Sequence, residues 1–334
     1  MTTDDTGTDD TETGRTGTDT AGTGGTTADR TRLIHQVGAQ AIEWLHANRA
    51  GFRLEPDADP EVGYMERFKP IGEAAMICKI LFREGVAGSR QASLARGLMD
   101  HLWREALDGG RSLARGQRQE PLSPIPFEVY LPFKELGYQE PETERAVHLN
   151  HRLGSWAALE LLPVRRLGIS AYEQRFGLMP STPVEDATER TWLARTPEPW
   201  TVEGHIGYDI THTVFHLTDW GQRPAGLPKP IADYLALWLP VWLDDWLDLR
   251  RWDLLAELLV VDACLPEPTL DERAWRGLAA AQQPDGAMPA VREMPEGSWD
   301  QMFDIVYHST LAAALASVLA TSRALAGLAA PVAS

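Results

Sequence analysis

The stretch LTDWGQRPAGLPKPIADYLALWL, residues 217 to 239, runs from the apolar end of one helical segment through a Gly/Pro-rich joint into a new amphipathic segment. Gly221, Pro224, Gly226 and Pro228 break helical backbone, so the two segments fold back as a helical hairpin rather than continuing as one rod. The same order of apolar helix end, polar joint and fresh helix recurs in LFREGVAGSRQASLARGLMDHLW, ELGYQEPETERAVHLNHRLGSW and DACLPEPTLDERAWRGLAAAQ. Counted from Phe82, Leu136, Asp219 and Leu265 the spacings are 54, 83 and 46 residues, and the middle interval has room for one more unit. Repeats of this size are stacked helical hairpins. Runs of alternating β-branched residues are nearly absent, so the fold class is all-α.

Two kinds of helix take part. Residues 89 to 106, 142 to 162, 229 to 248 and 270 to 283 carry charge along one face. Residues 66 to 82, 125 to 136, 207 to 220 and 303 to 322 are apolar nearly all round except for a few polar side chains near their starts. Helices apolar all round are buried. With the first kind outside and the second inside, the architecture is an α/α toroid; the alternative is an open α-solenoid.

Residues 1 to 29 are rich in Thr, Gly and Asp, have no aromatic residue and carry a net charge of −6. They cannot bury enough apolar surface to offset the entropy of ordering and are expected to be disordered. Residues 30 to 330 are then expected to form a single α-helical repeat domain. The opening lacks the basic and apolar regions of a signal peptide, which makes a cytoplasmic location the expectation. The whole chain has a formal charge of −17, of which −11 lies outside that tail. Nucleic acids and anionic membranes, which are met by clustered Lys and Arg, are therefore not expected partners. The Ala- and Leu-rich run from Leu311 to Ala330 is interrupted by Ser317, Thr321, Ser322 and Arg323, and reads as a buried helix rather than a membrane span.

Near the C-terminus, QQPDGAM (282 to 288) resembles the Q-x-x-D-G core of the QW repeats of the terpenoid cyclase and protein prenyltransferase superfamily, through Gln282, Asp285 and Gly286. The resemblance implies a toroid in which the motif ties an outer helix end to the next loop. Met288 stands where that family has an aromatic residue. The string THTVFHLTDWG is also similar to a signature of an actinobacterial family of helical-toroid character, which implies no activity. Asp262, Cys264 and His308 resemble the zinc ligands of prenyltransferase β-subunits, an Asp-x-Cys pair and a later His, and imply zinc as cofactor. Here, however, Pro266 and Pro268 place that pair at a helix end, where the family has it at a helix start. Asp244, Asp245 and Asp248 spell the D-D-x-x-D of class I terpene synthases, but they lie on a charged outer helix and read as a solvated face.

The candidate chemistry lies within GYDITHTVFHLTDWG. Asp209, His212, His216 and Asp219 fall at offsets of 0, 3, 7 and 10, one stripe of a helix. DIVYHST, with Asp304 and His308, echoes DITHT, and both fall near the start of an inner helix. In a closed ring these starts would meet at one mouth, where Glu66, Arg67, Lys69 and Glu128 would join them. Imidazole titrates near neutrality and a neighbouring carboxylate fixes its tautomer, so this set points to acid/base or metal chemistry. The structural alternative makes Asp209 and Asp304 helix N-caps and the histidines ordinary hydrogen-bonded core residues. The favoured function is a bacterial specialised-metabolism enzyme, a lyase/cyclase or transferase, holding a small or largely apolar substrate. The rival is a non-catalytic helical-repeat protein that binds a peptide or protein partner.

Overall fold

The computed structural model describes residues 26–54 and 64–329, and every regular element among them is helical. The first half comprises α1 (Thr27–Ala47), α2 (Tyr64–Glu84), α3 (Arg90–His101), α4 (Arg111–Gln119), α5 (Ile125–Glu135), α6 (Pro141–Asn150) and α7 (Gly154–Ala157). The second comprises α8 (Pro163–Phe176), α9 (Val184–Glu189), α10 (Gly204–Thr218), α11 (Lys229–Asp248), α12 (Trp252–Cys264), α13 (Glu272–Ala281) and α14 (Trp299–Ala329).

Local chemistry sets the helix starts. Thr26 and Asp29 form a capping box at α1, in which the Thr26 hydroxyl accepts from the Asp29 N–H and the Asp29 carboxylate accepts from the Thr26 N–H. Ser89 and Asp271 cap α3 and α13 in the same sense, each satisfying an otherwise unpaired N–H. The tail expected as far as residue 29 is thereby shortened: its last residues belong to α1, and residues 1–25 lie outside the described residues. The outer helix expected over 142–162 is also corrected. Its helix stops at Asn150, and Pro163, pre-set for a first helical turn, starts α8. Most of α8 falls in the long middle interval between repeats.

Six helices pack in a cycle. α2 meets α5, α5 meets α8, α8 meets α10, α10 meets α12, α12 meets α14, and α14 returns to α2. The other long helices lie against this cycle: α1 on α14, α3 on α2, α4 and α6 on α5, α11 and α13 on α12. Helix α12 explains part of the order, because all thirteen of its residues are buried, as a helix surrounded on every side requires. Where α1 crosses α14, a side chain in place of Gly38 would collide with Ser317, whose hydroxyl donates to the Ile34 carbonyl at 2.6 Å. That close crossing fixes α1 against the cycle.

α14 contains a stretch, Trp299–Gly327, long and apolar enough by length and composition to cross a membrane; 67% of its apolar window is buried inside the protein. The Q-x-x-D-G loop does tie elements together. The Gln282 side-chain amide donates to the Val37 and Gly286 carbonyls, both at 3.0 Å, joining the end of α13 to its own loop and to α1. Gly286 has φ +99°, and a Cβ there would stand 2.2 Å from the Gln40 carbonyl oxygen, so no other residue fits without movement.

Candidate functional site

All six helices of the cycle bring polar side chains to one place from their N-terminal halves. α14 contributes His308, whose Nδ1 lies 3.3 Å from Glu73 of α2 and whose Nε2 lies 3.1 Å from Glu257 of α12. Glu257 also accepts from the Thr211 hydroxyl on α10. Glu73 lies 3.7 Å from Lys69, and Arg67 pairs with Asp304 at 2.9 Å. Across the cycle, Arg165 of α8 donates to Glu128 of α5 at 2.7 Å, and both face His212 of α10 or its neighbours. The Tyr208 hydroxyl donates to Asp253. Glu128 and Asp253 lie in the first turns of α5 and α12, where the helix dipole favours a carboxylate.

The electrostatics follow from burial and pairing. Burial disfavours a charged imidazole, but Glu73 and Glu257 together outweigh it and push His308 up to about 10, so it is an imidazolium at neutral pH. Burial likewise works against ionised Glu73 and Glu257, yet their bonds to His308 hold both below the usual carboxylate range. Glu128 is raised by burial, which Arg165 only partly offsets, and Asp209 is raised by burial against weaker pulls from His205 and His212. The His308 side chain is 30% exposed, Glu73 23% and Glu257 5%, so the triad is largely enclosed, with His308 and Glu73 at its more open side. His212 differs. Its Nδ1 donates to the Tyr208 carbonyl at 2.8 Å, which in the neutral ring leaves Nε2 as the lone-pair nitrogen.

The expected stripe on α10 runs along the helix away from the cluster, with the His212 and His216 ring centres 6.5 Å apart. Asp209 and His212 belong to the cluster just described. His216 lies farther along the helix against α8, with its ring edge-on to Tyr172 and Trp220, and burial lowers it well below the usual histidine range. Asp219 follows the helix end and pairs with Arg175 at 3.3 Å. The capping alternative for the two aspartates is overturned by where the helices begin. α10 starts at Gly204 and α14 at Trp299, so Asp209 and Asp304 each sit in the second turn, beyond reach of the unpaired N–H groups.

Asp262, Cys264 and His308 are not gathered into one donor set. Among the described residues no group of three or more His, Cys, Asp or Glu side chains is arranged to hold a metal ion. Both Asp262 oxygens are occupied by the loop after α12, accepting from the Thr269 N–H and hydroxyl at 2.9 Å and from the Leu270 N–H at 2.8 Å. Cys264 is a fully buried free thiol, pushed up to about 12 by desolvation. Asp244 and Asp248 both pair with Arg273 of α13 on the exposed surface, as a solvated face should.

Sequence reasoning missed Glu73, Glu257, Tyr208 and Arg165. Glu257 had a readable signal: it is the one charge inside the apolar run LLAELLVV, and a charge buried there needs a partner from another helix. Comparison with curated proteins and with solved structures finds no match to either. Residues 38–318, most of the chain, match the family described as Domain of unknown function (DUF6895), and the chain belongs to that family.

Proposed function

We propose that the cycle of six helices is the inner ring of an α/α toroid, and that its polar mouth is the active site of an enzyme acting on a small molecule by proton transfer. The observation that carries the reading is His308 held between Glu73 and Glu257 in the same mouth as His212. Two imidazoles are thereby set to opposite tasks: His308 holds a proton to give, and His212 offers an Nε2 lone pair to receive one. One acid and one base linked through Glu257, which bonds His308 and accepts from Thr211 beside His212, suit a lyase better than a transferase. His212 Nε2 takes a proton from carbon, the C–H pair becomes the new double bond, and the departing group leaves with the His308 proton. Solvent then reloads His308 and unloads His212. Glu257 and Glu73 are positioning residues that keep His308 charged and aimed, and Arg165 with Glu128 borders the opposite side.

The test is incubation of the purified protein with a small-molecule extract, followed by mass spectrometry of the ions consumed and formed. Turnover by the wild type, slowed at least about 100-fold in both His308→Gln and His212→Ala, is the expected result. No change in any ion with wild-type protein would sink the enzyme reading and leave a non-catalytic binding protein. His212→Ala should keep wild-type helicity and melting behaviour; His308→Gln should keep helicity but melt lower, because Glu73 and Glu257 lose the cation between them.

A further inference from the structure

The face of α10 that carries His212 turns toward the interior of the cycle, because His212 lies near Glu128 of α5 on one side and Glu257 of α12 on the other. Asp209, three residues earlier, shares that face, since positions three and four apart on a helix are neighbours. Its side chain is half-buried and open to solvent.

Among the described residues, Asp209 differs from the other carboxylates of the mouth in having no donor. Glu73 and Glu257 share His308, Glu128 takes Arg165, Asp304 takes Arg67, and Asp253 takes the Tyr208 hydroxyl. Of the groups able to carry positive charge, His205 and His212 lie near Asp209, and neither is within ion-pair distance. His205 instead has Glu203 at 3.7 Å, and His212 Nδ1 is bonded to the Tyr208 carbonyl. Burial works against the Asp209 charge, so a carboxylate facing the interior without a cation calls for one from outside. Among the described residues no group of His, Cys, Asp or Glu side chains is arranged to hold a metal ion, which favours an organic cation. The field of the whole chain acts in the same sense, since a formal charge of −17 attracts cations and repels anions.

We propose that the substrate of the mouth is a small primary amine, bound as its ammonium to the Asp209 carboxylate; the assignment rests on the proton-transfer reading of that site. An ammonium brings the positive charge that Asp209 lacks, together with three N–H donors. One helical turn separates Asp209 from His212, so the ammonium lies beside the carbon that gives its proton to His212 Nε2. Its charge there stabilises the electron pair left behind, and the ammonium keeps its own bonds throughout. Asp209 selects the substrate, while His212 and His308 move the protons.

The test is calorimetric titration of the purified protein, at pH 7 and low salt, with benzylamine, phenethylamine and hexylamine, each beside the alcohol of the same skeleton. Parallel titrations follow the Asp209 carboxyl carbon in protein carrying ¹³C-labelled aspartate, assigned against Asp209→Asn. Expected is saturable binding of at least one amine, with a shift of the Asp209 resonance, and no binding of its alcohol. Affinity should fall at least about tenfold in Asp209→Asn and stay unchanged in Asp244→Asn, which removes an exposed carboxylate on α11. Asp209→Asn should keep the wild-type melting temperature, because it takes away no bond within the protein; an aspartate with a merely structural role would melt lower when replaced. No saturable amine binding, equal affinity for amine and alcohol, or an equal loss in Asp244→Asn would each overturn the proposal. Amine binding at Asp209 with no ion of the extract turned over would uphold the amine assignment and sink the enzyme reading. Turnover of a compound that is not an amine would do the reverse. The wild-type comparison of amine with alcohol decides the matter even where Asp209→Asn does not fold.

Discussion

Where α14 meets α2 and α12 a cation sits between two anions, His308 between Glu73 and Glu257; toward the C-terminal ends of α2, α5 and α8 an anion sits between two cations, Glu135 between Lys79 and Arg175. The second triad is enclosed to a similar degree, with Lys79 14%, Arg175 13% and Glu135 25% exposed, and Asp219 adds a further carboxylate to Arg175. Burial would raise Glu135, but the Arg175 and Lys79 bonds outweigh it and keep the carboxylate ionised. His308 belongs to a residue type that titrates near neutrality when unpaired, and two carboxylates keep it charged. Similar ionic pairings therefore do two jobs: one fastens helices, the other stores a proton.

The largest expected effect lies at the fastened end. Glu135→Ala leaves two buried cations without their shared carboxylate and should cost about 2–4 kcal/mol in urea unfolding, with the His308 triad unchanged. A cost below about 1 kcal/mol would remove the contrast between the two ends. The next effect is a pH dependence at the mouth. His308 is raised in the folded protein above its unfolded value of about 6.5, so its stabilisation is fully present below that pH and is lost as pH rises toward 10. Wild type should lose on the order of 2 kcal/mol across that window, and His308→Gln should lose none of this component. An identical slope in both proteins would break the account of the triad.

How much of this was legible beforehand depends on how the signal is carried. The buried helices α2, α5, α10 and α14 announce themselves as apolar runs with polar starts, and Gly/Pro joints mark their ends to within a few residues. α8 did not, because its buried side carries Ser170 and Glu173 beside apolar residues and its hydrophobic periodicity is correspondingly weak. His212, His308, Asp209 and Asp304 were visible from the repeated Asp/His spacing. Their partners were not, because Glu73 lies 235 residues and Glu257 51 residues from His308, and Arg165 37 residues from Glu128, each on a different helix that only packing brings alongside. The zinc reading failed for a related reason: spacing in the chain says nothing of which loop N–H groups have already taken both oxygens of Asp262.

Two smaller effects calibrate the comparison. Tyr208→Phe removes the donor to Asp253, a buried carboxylate at the edge of the mouth, and should cost about 1–2 kcal/mol by thermal or urea unfolding. Asp244→Asn, on the exposed face where Arg273 retains Asp248, should change stability by no more than about 0.5 kcal/mol. A larger change there would mean that ion pairs on the outer helices fasten the fold as firmly as the enclosed triad does.

The most direct measurement is an NMR titration of the His308 imidazole, with ¹⁵N-labelled histidine assigned against His308→Gln. Both ring nitrogens should stay protonated through pH 8, with a midpoint near 10 that falls toward 6.5 in Glu257→Gln. A wild-type midpoint between pH 6 and 7, unmoved by that substitution, would contradict the account of the mouth as a carboxylate-held proton site.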